Sequence, residues 1–414
     1  MLRKLLYGTL LISLLTSIIG CDTLNSLRMM QINSNVKPII NSAQPIALKA
    51  SFLGEKSYVN ANVNGEELLF LIDTGASFLI LFDTPKVKAM KLPKGFALSL
   101  SGWGEEEDSK AYQTDVESFN MTGVQFNDLK AAYIPISTSP YFLREDEALI
   151  DGVIGHDMLK HFVWQFDKSK NSITVSTQPY QANQLTESFE IDTFLSKISI
   201  EGTLVLNEKD NATGDFIIDT GSRHYLKVSS QFTENRNIAI DSAKIVAADF
   251  GLNGKVEHER VSLPALKLGK LNIPNLKTNL IPSKDEDEDD FWVIGNALLN
   301  QYKTVIDYPN DKMFLEPQEP IKVRYNLLGL ELRKIRSGEF VIRYIFPEFP
   351  VNKYDLKIGD LITNLDHISA KELSMSDALS ISATPGKKQV CIARENVCFN
   401  ILAQHIAGYS NHHE

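Results

Sequence analysis

A mainly β chain, built as two similar lobes with a small α+β unit at its C-terminal end, is the fold this sequence predicts. Three observations predict it. Short alternating or wholly apolar runs bounded by turn residues fill the middle of the chain, one arrangement of those runs occurs twice, and the character changes after Pro317-Gln318-Glu319-Pro320. At 414 residues the chain exceeds what one hydrophobic core usually organises, so two or three domains are expected. A net charge of -10, from 42 Lys and Arg against 52 Asp and Glu, argues against nucleic acid as a partner, because no basic run is present to displace phosphate counterions.

Arg3 and Lys4 followed by the apolar stretch Leu5 to Ile19 read as an export signal over residues 1–20, too short to span a bilayer comfortably. Its ending, Ile18-Ile19-Gly20-Cys21, resembles the lipobox of bacterial lipoproteins, which implies cleavage before Cys21 and a lipid on its thiol; an uncleaved signal anchor is the alternative. Asp22 resembles an inner-membrane retention signal, so the expected location is the cell envelope, anchored to the inner membrane and facing the periplasm. Residues 21–45 are polar, poor in aromatics and without clear periodicity, which predicts a flexible stalk.

Within the predicted first lobe, residues 46–185, Tyr58 to Val63 alternates, Asn64-Gly65 is a hairpin turn, and Leu68 to Ile72 is a continuous apolar run suited to a buried strand. That run ends in Phe70-Leu71-Ile72-Asp73-Thr74-Gly75-Ala76-Ser77. The predicted second lobe, residues 186–317, repeats it as Phe216-Ile217-Ile218-Asp219-Thr220-Gly221-Ser222-Arg223. Later in each half, Val153-Ile154-Gly155 and Val293-Ile294-Gly295 open matching segments, and the distance from each glycine to the next strand's aspartate, Asp167 or Asp307, is the same. One Asp-Thr-Gly arises by chance in about one chain in ten at average composition. Two copies, each behind an apolar strand and each followed by apolar-apolar-Gly, mark a duplicated site. Between the landmarks, Ser101-Gly102-Trp103-Gly104 and Phe250-Gly251-Leu252-Asn253-Gly254 look like hairpin tips carrying exposed aromatics.

These paired motifs resemble the retropepsin and pepsin group of aspartic proteases over roughly residues 46 to 317. The resemblance implies a two-lobed β-barrel acid protease fold in one chain, so that no dimer is needed for catalysis. It implies hydrolysis of peptide bonds in a protein or peptide substrate; no cofactor is expected, and no metal site either, because no ligand cluster accompanies the cysteines. Two carboxylates held together share one proton, and the ionised oxygen of such a pair can deprotonate a water while the protonated one donates to the scissile carbonyl. Asp73 and Asp219 are the expected catalytic pair. Gly75 and Gly221 let the loops approach, and Thr74 and Thr220 would bond across to the opposite loop. Ser222 stands where pepsin-like enzymes place a hydroxyl against the aspartate, which would favour the ionised form of Asp219 and leave the shared proton on Asp73. Gly102, Trp103 and Gly104 are the candidate flap, with Phe250 a weaker one because pepsin-like enzymes keep one working flap; both tips are also readable as plain turns. The acidic runs Glu105 to Asp108 and Asp285 to Asp290 read as solvated loops rather than as attractors of basic substrates.

Residues 321–404 resemble a bacterial PDZ domain. Leu328-Gly329-Leu330 matches the loop that captures a peptide carboxylate, Leu356 to Ile362 the glycine-aspartate strand, and Ser374 to Ile381 the groove helix. Substrate docking or regulation is the implied role, and a structural cap on the second lobe is the alternative. Cys391 and Cys398 flank a predicted hairpin tip and either close a disulfide or stay as small buried thiols. The expected function is therefore an endopeptidase acting on periplasmic or envelope proteins. The rivals are a catalytically idle lipoprotein that binds peptides in the same cleft, and an envelope scaffold.

Overall fold

Each half begins with a hairpin that delivers its Asp-Thr-Gly loop. In the computed structural model, which describes residues 21–40, 42–282 and 291–410, Lys56–Val63 pairs antiparallel with Glu66–Ile72 through Asn64 and Gly65, both at positive φ as a tight primed turn requires. Lys197–Val205 pairs with Asn211–Asp219 in the second half. The apolar-apolar-Gly motifs then explain themselves. Gly152–Ile154 lies parallel to the end of Glu66–Ile72 and antiparallel to Ile80–Phe82, and Trp292–Gly295 lies likewise between Asn211–Asp219 and Leu226–Ser229. A strand covered on both edges and both faces is buried throughout, hence the unbroken apolar run. Gly155 and Gly295 are forced by contact. A Cβ at Gly155 would fall 2.6 Å from the Phe78 backbone, and one at Gly295 would fall 2.2 Å from His224 O.

The two aspartate-bearing strands after these motifs meet in one sheet. Val163–Asp167 pairs antiparallel with Tyr302–Asp307, Trp164 facing Ile306, so equivalent strands of the two halves join edge to edge. The apolar residues of both halves merge into a single cluster that includes Phe70, Ile154, Trp164, Phe216, Ile294 and Ile306.

The N-terminal stalk is a correction. Cys21–Ser34 is an α-helix docked on the first lobe. Met29 is fully buried among Leu71, Leu98 and Leu100, Asn25 Nδ2 donates to Ala97 O at 2.9 Å, and Asn33 Nδ2 donates to Asp157 Oδ2 at 2.6 Å. Positions 25, 29 and 33 recur every four residues and so share one helix face. Two of the three are asparagines, so the docking face carries no apolar stripe to signal it. The export signal lies outside the described residues, as does the Asp285 to Asp290 run. No helix among the described residues is long and apolar enough to cross a membrane.

The C-terminal unit is a sheet of Leu330–Lys334, Phe340–Ile345, Leu361–Leu365, Gly386–Ile392 and Val397–Ala403, with the short strand Ile368–Ser369 paired to Leu361–Leu365, and it carries the helix Met375–Ala383. The helix starts where Ser374 and Asp377 form a reciprocal capping box. Cys391 and Cys398 face each other across the last hairpin and are disulfide-bonded. The carboxylate-loop expectation fails here. The Leu328 N–H donates to Ser382 O at 3.2 Å and the Gly329 N–H to Asn326 Oδ1 at 3.0 Å, so these amides are turned inward. Leu328 and Leu330 are buried, and Gly329 is a glycine because φ is +79° and Phe349 packs where a Cβ would stand.

This unit is also not tethered loosely. Its core continues into the second lobe, where Ile245, Ala247 and Ala248 pack with Tyr325, Leu327, Leu328 and Tyr409. Residues 405–410, beyond the expected boundary at 404, take part: Tyr409 is buried edge-on against Tyr325, and Ala243 N donates to Gly408 O.

Candidate active site

The two Asp-Thr-Gly loops are braced by four symmetric hydrogen bonds. Thr74 Oγ1 donates to Ile218 O at 2.5 Å and Thr220 Oγ1 to Ile72 O at 2.9 Å. In return the Thr74 N–H donates to Thr220 Oγ1 at 3.1 Å and the Thr220 N–H to Thr74 Oγ1 at 3.0 Å. Every polar atom of the pair of threonine hydroxyls is thereby used, and both side chains are buried. Asp73 and Asp219 are brought together at the cleft floor. A Cβ at Gly75 would stand 2.9 Å from Oδ1 of each, and one at Gly221 would stand 2.3 Å from Asp73 Cγ. Neither glycine has positive φ. They are glycines because the carboxylates occupy the space of a side chain.

Each Oδ1 accepts from its own loop, Gly75 N–H to Asp73 at 2.7 Å and Gly221 N–H to Asp219 at 2.9 Å. Burial, and then the charge of Asp219, raise the Asp73 carboxyl to about 7, against the pull of Lys197, Lys56 and the Gly75 N–H. The upward direction of this shift is the one expected if Asp73 carries the shared proton. The Ser222 hydroxyl, expected to favour an ionised Asp219, is not placed to do so. Ser222 contacts Asp219 through its amide, at 3.0 Å, while its buried hydroxyl has no hydrogen-bond partner. Ser222→Ala is therefore expected to leave the shape of a pH–activity profile unchanged, and a shifted limb in that profile would show that the hydroxyl does act on the pair.

Both hairpin tips reach over this floor, and they meet. Asn253 N donates to Trp103 O at 2.7 Å, Glu106 N to Asn253 O at 2.9 Å and Ser109 Oγ to Leu252 O at 2.8 Å. The tips are so close that a Cβ at Gly104 would fall 2.0 Å from Asn253 O, and one at Gly251 would fall 2.3 Å from Trp103 Cβ. The second tip thus takes part as fully as the first. Trp103 is not exposed: its ring packs on Phe291 at 5.1 Å and receives the Lys227 ammonium at 4.5 Å. The Glu105 to Asp108 run is exposed, as a solvated loop should be, and Asp108 within it also accepts from Asn253 Nδ2 at 2.7 Å, which helps join the tips.

Beneath the tips lies a cleft of about 1340 Å³ that the C-terminal unit helps to wall, through Arg333, Arg336, Arg343 and Met375. Sequence reasoning missed this wall, because nothing in one dimension places residues 333–343 beside residue 73. Ion pairs fasten it: Arg223 with Glu331 at 2.5 Å, and Glu147, fully buried, with Arg333 at 3.6 Å and Arg343 at 3.5 Å. Burial alone would raise the Tyr141 hydroxyl, yet Arg333, then Lys56, Arg343 and Arg223, outweigh it and bring it down to about 7. This side of the cleft is electropositive.

Residues 59–158 match the family model described as Aspartyl protease, a stretch that contains Asp73-Thr74-Gly75 and Val153-Ile154-Gly155. The match supports an aspartyl protease domain in the first lobe and a protease-like function for it. No curated protein matches the chain.

Proposed function

We propose that the chain is an aspartic endopeptidase that cleaves periplasmic or envelope proteins in one chain, without a partner subunit, cofactor or metal in the reaction. The observation that carries this reading is the convergence of Asp73 and Asp219, one from each half, in a threonine-braced pair beneath two joined flaps. With the proton on Asp73, the ionised carboxylate of Asp219 takes a proton from a water held between the two. Asp73 donates its proton to the scissile carbonyl oxygen as the water oxygen bonds to carbon, giving a tetrahedral diol. Collapse of the diol expels the amine with a proton returned through the pair, and no acyl-enzyme forms. Incubation with a diverse peptide library, with mass spectrometry of the products, tests the reading: internal cuts that carry one solvent oxygen are expected.

The proton on Asp73 sets the pH dependence. As pH rises through about 7 the shared proton leaves, both carboxylates ionise, and the carbonyl loses its acid. Cleavage is therefore expected to hold across mildly acidic pH and to fall above about 7, read from kcat/KM against pH. A profile still rising at pH 8 would contradict the assignment.

A lipid on Cys21 would hold this cleft close to the bilayer, since the helix beginning there is docked on the first lobe and Ser26 and Met30 line the cleft mouth. Leu24 and Leu27, each 50% exposed, extend the apolar contact beside the anchor. Fatty-acid labelling that is lost in Cys21→Ala is the expected outcome. The C-terminal unit, PDZ-like in its sequence, acts in this reading as a wall of the cleft and a support for the second flap rather than as a dock for free carboxylates.

A further inference from the structure

The two aspartate hairpins carry a second matched pair. Tyr58 faces Leu71, so continuing that antiparallel register by two residues sets Lys56 across from Asp73. Ser199 faces Ile217, and the same step sets Lys197 across from Asp219. Both lysines are half-buried and both line the cleft. Their backbones are held by contacts to the other half of the active site. The turn before Lys56 is fixed where Glu55 O accepts from Asn296 Nδ2 at 2.9 Å, and the turn before Lys197 where Ser196 Oγ donates to Ser77 Oγ at 2.7 Å.

The other cations that line the cleft are engaged. Arg223 is paired with Glu331, Arg333 and Arg343 with Glu147, and Lys227 with Asp249. Lys334 donates to Ala370 O and Leu373 O, and Arg336 to Ala148 O. Among the described residues Lys56 and Lys197 have no ion pair, no side-chain hydrogen bond and no aromatic partner, so their ammonium groups are free to bind an anion. Their field already reaches the pair, because both oppose the upward shift of Asp73.

We propose that Lys56 and Lys197 are specificity-determining subsites, which make the cleft select peptides with an Asp or Glu side chain on each side of the scissile bond, within about two to three residues of it. This deepens the endopeptidase reading and rests on it. An extended peptide across the floor runs past both lysines, one on either side of the aspartate pair. Each charge-assisted contact in a partly desolvated cleft is worth roughly a tenfold preference for Glu over Gln.

The test uses the full-length protein in detergent and peptide sets that vary Glu, Gln and Lys at each position around one cleaved bond. For the wild type we expect Glu over Gln over Lys at one position on each side, expressed mainly in KM. Lys56→Glu is expected to invert the preference on one side alone, and Lys197→Glu on the other. Each reversal also removes a cation that holds Asp73 down, so the alkaline limb moves to higher pH. A preference that neither variant moves, or that both move on both sides alike, overturns the proposal while leaving the endopeptidase standing. If the wild type cuts nothing, the endopeptidase reading falls, and fluorescence anisotropy with the same peptides then decides the subsites separately. Tighter binding of acidic peptides that either reversal weakens supports them, and equal binding of all peptides sinks them.

Discussion

Replacing Asp73 or Asp219 with Asn is expected to lower kcat/KM by about a thousandfold or more, with either single change nearly as damaging as both together. A carboxamide can neither take the water's proton nor release one to the carbonyl, and the two groups work only as a unit. The fold should survive, because an amide oxygen can still accept from the Gly75 or Gly221 N–H and the volume is unchanged. Asp73→Asn should even melt higher than wild type at alkaline pH. The folded protein binds the Asp73 proton with a value of about 7, against about 4 in an unfolded chain, so wild-type stability drains away as pH rises through that window. The neutral amide has nothing to lose there. The difference in melting temperature should close below pH 4. Circular dichroism melts beside cleavage assays read both effects, and a single mutant retaining more than a few per cent of activity would remove the pair from the mechanism.

What was legible in the sequence is what the backbone makes periodic or repeated. Asp73-Thr74-Gly75 and Asp219-Thr220-Gly221 could be found because a site built from two halves must state its needs twice, and Thr74 and Thr220 bond each other only if both slots carry a hydroxyl. The buried segments Gly152–Ile154 and Trp292–Gly295 were legible because enclosure on every side leaves no polar position. Features that depend on which distant surface arrives next were not. The docked helix Cys21–Ser34 hides its contact face in Asn25 and Asn33, whose value lies in partners about a hundred residues away. Ser222 sits in the right slot with its hydroxyl unused, since a position in a motif does not set a rotamer. Leu328-Gly329-Leu330 has the composition of a carboxylate loop, but Asn326 and the end of the following helix take its amides first. Phe250 looked like a spare tip because nothing in its own hairpin shows that Asn253 bridges to Trp103 O and Asp108.

Ending the chain after Pro320 is expected to destroy the protease rather than release it. A regulatory module on a tether can be cut away and leave an active enzyme, often a faster one. Here the strand Ile245–Gly251, which forms one side of the second hairpin tip, packs into the C-terminal core: Ile245, Ala247 and Ala248 are each 2% exposed or less and share a cluster with Tyr325, Leu327 and Tyr409. Truncation uncovers those side chains. Exposing Ile245 costs roughly 1.5–3 kcal/mol and the two alanines add less, a sizeable share of the marginal stability of a typical domain. The electrostatic side fails in the same direction, because Arg223 loses Glu331 and Glu147 loses both guanidinium groups. The truncated chain should be insoluble or bind a hydrophobic dye strongly, with no cleavage. Arg343→Ala separates support of the second tip from loss of the fold. Arg343 is 1% exposed, stacks on Phe250 at 3.8 Å and donates to Tyr141 O at 2.8 Å, so it pins the second tip to the first lobe across the cleft. Without it Arg333 still partners Glu147, the fold persists with a lower melting temperature, and kcat/KM is expected to fall as the second tip loosens. A soluble truncation with wild-type or higher activity would instead make the C-terminal unit a removable regulator, and the shared core would have no part in holding the cleft.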